Sequence, residues 1–236
     1  MSVFAVGDLH LSFFPGADKS MAVFGPRWEN HEERLKRFWE ETVRPSDTVV
    51  ICGDISWGLK LENARWDLDW IDALPGKKIL LKGNHDLWWN GIGRLNRMYE
   101  GIRFLQHDCA LAEDLCVCGS RGWLTPEHDD FTEADEKIYR REALRLEMSL
   151  RRGQKEIRER GGGKLVGVLH YPPASDRGAF TEFERLFLRY GVEDVYYGHI
   201  HGEDGFRSAL QGEIHGVRYH LVSLDYLNCR LLKINR

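Results

Sequence analysis

A chain of 236 residues, 42% of them hydrophobic, is long enough for one large core and short for two, so residues 1–236 read as one domain. With 33 Lys and Arg against 37 Asp and Glu, the formal net charge is −4, which excludes a basic field able to hold nucleic acid by phosphate contacts alone. The start, Met1-Ser2-Val3-Phe4-Ala5-Val6, has no basic segment, no apolar run approaches the ~18 residues of a membrane span, and the five cysteines include no CxxC pair; a cytoplasmic chain without signal peptide, membrane span, disulfide framework or thiolate zinc site is expected.

In chain order, the apolar run Val3 to Val6 reads as a buried strand. Phe13 to Trp28, with two prolines and two glycines but no period, reads as a surface loop. Asn30 with Glu33 makes a cap-like start for a helix in which Leu35, Phe38, Trp39 and Val43 recur at helical spacing. Thr48 to Cys52 is the second strand. Leu61, Ala64, Leu68 and Ile71 mark a second helix, stopped by Pro75-Gly76, and Ile79 to Leu81 is the third strand. Ala110 to Ala112 and Leu115 to Cys118 flank Glu113-Asp114 like a hairpin, with Cys116 and Cys118 on one face, toward the core. The longest helix starts at Thr132 with Asp135 as its box partner, and Tyr139, Ala143, Leu146, Leu150 and Ile157 form its apolar stripe as far as Gly161-Gly162-Gly163. Leu165 to Leu169 and Val195 to Tyr197 are further strands, while Ile214, Tyr219, Leu221 and Leu231 suggest a β-rich end. The alternation predicts an α/β fold with antiparallel additions.

Each of the five apolar strands is followed at once by groups that can ligate a metal: Gly7-Asp8-Leu9-His10, Gly53-Asp54, Gly83-Asn84-His85-Asp86, His170, and Gly198-His199-Ile200-His201. The carboxyl ends of strands in an open α/β sheet form one edge, so residues distant in sequence converge there. Glycine before four of the five groups lets the backbone turn sharply or approach an ion. Asp8, His10, Asp54, Asn84, His170, His199 and His201 offer oxygen and nitrogen and no sulfur, which suits Mn, Fe, Zn, Co or Mg. Seven ligands exceed a catalytic zinc shell of three. They fit two ions ~3.5–4 Å apart that share a carboxylate.

These residues, in this order, closely resemble the calcineurin-like metallophosphoesterase family over residues 7 to 201; Gly-Asn-His-Asp with Gly-His-x-His is the specific part. The resemblance implies two mixed β-sheets packed face to face and covered by helices, a four-layer sandwich. It implies one divalent ion on Asp8, His10, Asp54 and His201 and another on Asp54, Asn84, His170 and His199, with Asp54 bridging, and manganese or an iron–zinc pair favoured. Two such ions lower the pKa of a water between them from 15.7 toward ~7, giving a hydroxide that attacks phosphorus in line with the leaving oxygen. His85, outside the metal set, is expected to bond a phosphoryl oxygen or protonate the leaving alkoxide, with Asp86 orienting its ring. Trp57 stands where many members of the family carry an acidic or basic residue, a difference that touches substrate contacts and no metal ligand.

Alone, Asp8-x-His10 would more often be a turn than a metal site; the five groups together reverse that weighting. His31, His107, His128, His215 and His220 have no such company and read as structural or surface residues. Trp57, Trp88, Trp89 and Trp123 cluster around the motifs; each by itself is more often core, yet together they make an aromatic substrate contact plausible, with Trp57 and Trp123 the named candidates. Arg121, just after a strand, is a candidate phosphate clamp, with a salt bridge as the equal alternative. Arg140 to Arg160 carries a local excess of four positive charges, first read as a solvated helix face and second as a nucleic-acid groove. The reading is thus a metal-dependent phosphohydrolase for a small or medium phosphoester, with no membrane partner. Its rivals are a nuclease or nucleotide phosphodiesterase on the same site, and a catalytically silent binding or scaffolding protein, against which all seven ligands and His85 count. His31-Glu32 lacks the second histidine of an HExxH zinc peptidase.

Overall fold

The computed structural model describes residues 1–174 and 180–235. In order the elements are β1 (Val3–Val6), α1 (His31–Thr42), β2 (Thr48–Cys52), α2 (Leu61–Ala73), β3 (Lys77–Leu81), α3 (Ile92–Leu95), β4 (Ile102–Leu105), β5 (Cys109–Ala112), β6 (Leu115–Gly119), α4 (Glu133–Arg160), β7 (Lys164–Leu169), α5 (Glu182–Tyr190), β8 (Asp194–Tyr197), α6 (Gly202–Ser208), β9 (Gly212–Ile214), β10 (Val217–Leu221) and β11 (Leu232–Lys233). They form two mixed sheets, β11-β1-β2-β3-β4 and β5-β6-β7-β8-β10-β9. Strands β1 to β4 are parallel with β11 antiparallel at one edge; β6, β7, β8 and β10 are parallel with β5 and β9 antiparallel outside them.

Alternation along each strand divides the core into layers. Val3, Ala5, Val50 and Cys52 of the first sheet meet Val117, Val166, Val168 and Tyr196 of the second in a central apolar layer. Phe4, Val6, Val49 and Ile51 face the other way, onto Leu35 and Trp39 of α1 and Leu68 and Ile71 of α2. On the far side Cys116 and Cys118, Leu169 and Val195 pack against Leu146 and Leu150 of α4 and Phe183 and Phe187 of α5. Helices, sheet, sheet and helices make the four layers. Strands buried on both faces read as continuous apolar runs, which is why they were visible without alternation.

Thr132 and Asp135 form the expected reciprocal capping box, and Gly161 in the left-handed conformation ends α4. Asn30, by contrast, has φ 47° and makes no capping bond from its side chain, so the start of α1 was placed correctly for the wrong reason. Phe13 to Trp28 is only partly a surface loop: 3-10 turns at Met21–Phe24 and Pro26–Trp28 bury Met21 and Trp28. No described helix is long and apolar enough to cross a membrane, and all five cysteines are free thiols.

Gly153 of α4 lies so near β6 that a Cβ there would overlap Cys118 Sγ and crowd Leu165 and Cys116. Gly153→Val is therefore expected to destabilise the fold by ~1–3 kcal/mol through overpacking. A denaturant midpoint equal to the parent's at unchanged slope would show that the helix can move away at no cost.

Candidate metal centre

The sheets stack with their parallel strands ending on one side, and β1, β2, β3, β7 and β8 deliver the motif residues there. Backbone bonds stitch these ends together: Asp8 N donates to Gly53 O (2.9 Å), His10 N to Asp54 O (3.0 Å) and Gly198 N to His170 O (3.1 Å). Among the glycines preceding the motifs only Gly53 has positive φ; Asp8, His10, Asp54 and His199 themselves carry φ of 60°, 47°, 49° and 72°. Left-handed backbone costs such residues ~1–3 kcal/mol each and persists where surroundings enforce it, typically at functional sites. Gly83 and Gly198 serve instead as points of close approach, since a Cβ would overlap the Asp54 carboxylate in one case and the Asp8 carboxylate in the other.

Two buried carboxylates stand among three imidazoles. Asp54 Oδ2 lies 3.4 Å from His170 Nε2 and 3.8 Å from His10 Nε2, and Asp8 Oδ1 lies 3.7 Å from both His201 Nε2 and His170 Nδ1. These spacings are too long for good hydrogen bonds. Those to ring Nε2 atoms match ligand atoms around one ion, because donors bonded at ~2.1 Å and ~110° stand ~3.4 Å apart. Asp8, His10 and His201 form one close group and Asp8, Asp54 and His170 another. Asn84 joins through its side-chain oxygen, 2.6 Å from His170 Nε2. His199 stands further out, its ring 5.0 Å from that of His170 and 4.1 Å from that of Tyr171.

The ligands are oriented from behind. His170 Nδ1 donates to Cys52 O (3.0 Å), which turns Nε2 into the site, and His201 Nδ1 lies 3.0 Å from Asp225 Oδ1. A carboxylate or carbonyl behind a histidine is the usual support of a metal-binding imidazole. Each carboxylate also accepts backbone N–H groups, Asp8 from His199 (3.0 and 3.1 Å) and Asp54 from His85 (2.8 Å). Buried His10 Nδ1 has no hydrogen-bond partner among the described residues.

Burial drives the Asp8 carboxyl up to about 6 against the pull of His201 and His170. Burial also pushes Asp54 up, but the charge of His170, with His10 and His85, carries it below the ordinary carboxylate range. Burial lowers His170 too, yet Asp54 and Asp8 bring it to about 9. His10 and His199 are held down at about 3, chiefly by burial, which leaves neutral nitrogens. Buried carboxylates beside imidazoles, with His10 and His199 held neutral, fit divalent cations in donor type and spacing.

The proposed wall residues separate into groups. Trp57 stacks on His10 (ring centroids 4.9 Å) and tilts against His85 (4.4 Å), so it borders the centre. His85 is 44% exposed, with Nε2 4.0 Å from Asp54 Oδ2. Asp86 requires a correction. It is fully buried, and its carboxylate accepts from the N–H groups of Ile55 (3.0 Å), Ser56 (3.2 Å) and Gly83 (2.8 Å) and from Trp88 Nε1 (3.0 Å). It braces the turn, and those bonds leave it no part in orienting the His85 ring. Trp88 and Trp89 are core residues. Arg121 stacks on Trp123 (4.3 Å), and Trp123 shares a cavity of about 200 Å³ with Tyr171 and His199. His215 pairs with Glu184 (3.2 Å) and His220 with Asp194 (2.9 Å), far from any ligand role. The sequence reading missed Asp225, Tyr171 and Trp28; the last sets its edge against His10 (5.7 Å) and His201 (5.5 Å).

The model of the calcineurin-like phosphoesterase family matches residues 1–203. Among characterised sequences, the "Gene 66 protein" of Mycobacterium phage D29 is 36% identical over 108 residues, covering 43% of this chain and 50% of that protein. Its counterpart in phage L5 is 43% identical over 58 residues, 25% of this chain and 28% of that one; the chain thus spans half or less of these relatives. Three solved structures share the fold at low identity. AQ665 of Aquifex aeolicus, a protein of unknown function, has TM-score 0.55 and 16% identity over 98% of this chain and 95% of that one. Phosphopantetheinyl hydrolase PptH of Mycobacterium tuberculosis has TM-score 0.53 and 15% identity over 99% and 95%. Purple acid phosphatase PPD1 of yellow lupin has TM-score 0.50 and 16% identity over 94% of this chain and 43% of that chain. With two mixed sheets, Asp and His groups able to hold metal at their common edge, and a family match over most of its length, the chain belongs to the calcineurin-like phosphoesterases.

Proposed function

We propose that this chain uses two divalent ions to hydrolyse a small or medium phosphoester in the cytoplasm. One ion would be held by Asp8, His10, Asp54 and His201, the other by Asp54, Asn84, His170 and His199. The observation that supports this reading is the position of Asp54 Oδ2, with His10 Nε2 at 3.8 Å and His170 Nε2 at 3.4 Å, from which one carboxylate would reach both sets. When bound, such ions neutralise phosphoryl oxygens and make hydroxide available at neutral pH. The chain's own residues do the rest. Asp225 and the Cys52 carbonyl keep His201 and His170 in register, His85 presents a ring nitrogen to the phosphoryl or leaving oxygen, and Trp57 walls that side against water. Manganese or an iron–zinc pair suits the mixed carboxylate, amide and imidazole set.

The nuclease alternative loses ground at α4, whose charges pair along its own surface: Arg151 with Glu147 (3.3 Å), Arg152 with Glu156 (3.6 Å) and Lys155 with Glu159 (3.6 Å). That is a solvated face, and the one aromatic residue of the helix, Tyr139, is buried and offers no ring on which to stack bases. The test is hydrolysis of a generic monoester and a generic diester by chelator-stripped protein reloaded separately with Mn, Fe, Zn, Co or Mg. Activity should vanish on stripping and return with two ions per chain. Return at one ion per chain would defeat the two-ion assignment, and salt-sensitive cleavage of oligonucleotides would promote the nuclease.

A further inference from the structure

Beside the centre, at the carboxyl ends of β3, β4 and β6, lies a recess of about 340 Å³ roofed by α4. Its walls hold Lys82, Arg121, Arg141 and Arg145, four cations, against the single carboxylate of Glu142. Glu142 is 1% exposed and is already engaged: Oε1 takes Arg145 Nη1 at 2.8 Å and Arg141 Nη2 at 3.3 Å. Arg121 Nη2 is left at 3.8 Å from it, beyond hydrogen-bond range, and the buried Arg121 Nε has no partner among the described residues. Among the described residues the Lys82 ammonium makes no hydrogen bond or ion pair. A cation cluster built only to neutralise one buried carboxylate needs no such surplus, since each unpartnered buried donor costs stability.

The recess adjoins the metal centre. Arg121 O accepts from His170 N (3.0 Å) and Tyr171 N (3.1 Å), and Lys82 precedes Asn84 by two residues, placing their Cα atoms at most ~7.6 Å apart. A guanidinium held over the Trp123 ring (4.3 Å) and an ammonium without a hydrogen-bond partner among the described residues are the groups that take a tetrahedral oxyanion. Resting on the hydrolase reading above, we propose that this recess binds a second phosphate of the substrate, so that the preferred substrate is a small bisphosphorylated molecule whose other phosphate sits at the metals. A recess of about 340 Å³ lined by four cations has the size and charge for a single phosphate group.

The test uses alkane-α,ω-bisphosphonates of one to four carbons and the matching monophosphonates, titrated calorimetrically into the metal-loaded full chain. None contains a phosphoester bond, so binding is read without hydrolysis. At least one bisphosphonate should bind about tenfold or more tightly than its monophosphonate, and Lys82→Gln should erase most of that advantage. Arg145→Gln is the second variant, and each is compared at equal thermal midpoint. Equal affinity for the two series, or an advantage untouched in both variants, overturns the proposal; so does a monophosphonate with added inorganic phosphate matching the bisphosphonate, which would make the recess a site for free phosphate. A bisphosphonate advantage in a chain that hydrolyses no ester would sink the hydrolase reading and leave the anion site standing; hydrolysis without that advantage does the reverse.

Discussion

Asp54→Ala is expected to empty both metal positions and to lower kcat/KM by more than the ~10²–10³-fold typical of losing one charge-stabilising group, because in the proposed assignment Asp54 is shared by both ligand sets. Oδ2 is within 4.0 Å of ring nitrogens on His10, His170 and His85, and Oδ1 accepts the His85 N–H at 2.8 Å. The alanine therefore removes the shared ligand and frees the Asn84-His85 turn together. His199→Ala is the control, since His199 belongs to one set only and stands at the outer side of His170; it should lose one ion and retain more activity. Elemental analysis of both variants alongside turnover decides the matter. Near-native metal content in Asp54→Ala would pass the bridging role to Asp8, which stands in one close group with His10 and His201 and in the other with Asp54 and His170.

The line of donors at strand ends was readable because both of its causes are local. A strand buried on two faces must be an unbroken apolar run, and the polar groups that follow it stand out. The capping box of Thr132 and Asp135 was readable for the same reason. Long-range pairing left no such mark. Nothing local says that β1, β2 and β3 share one sheet while β7 and β8 lie in the other, and only the family resemblance supplied the two-sheet stack. Strand β4 is four residues long and interrupted by exposed Arg103. Helix α5 had its own box in Thr181 and Glu184, a signal present in the sequence and passed over beside the more conspicuous His170 and Gly198 motifs. Asp225 lies 24 residues beyond His201 in a stretch without regular structure, so its place behind that ring follows only from the return of the chain past β10. Asp86 shows the opposite error. Adjacency to His85 suggested partnership, whereas consecutive side chains leave this turn in different directions and Asp86 goes to the buried N–H groups of Ile55, Ser56 and Gly83.

His85→Ala should leave both ions and the fold in place while turnover falls in a way that depends on the leaving group. The backbone N–H that His85 gives to Asp54 survives the substitution, and the ring is half open to solvent against Trp57, so little packing is lost. Burial holds the imidazole below its ordinary pKa against the pull of Asp54, and at neutral pH a neutral ring still carries one N–H. An anionic phosphoryl group against it would raise the pKa again and favour proton donation. General acid assistance contributes ~10²–10⁴-fold, so alkyl esters, whose alkoxides need a proton, should slow by that factor. Nitrophenyl esters, whose phenolates leave unaided, should slow far less. Equal slowing of both would assign His85 to charge stabilisation on the phosphoryl oxygen. Loss of an ion would make His85 a ligand in place of Asn84.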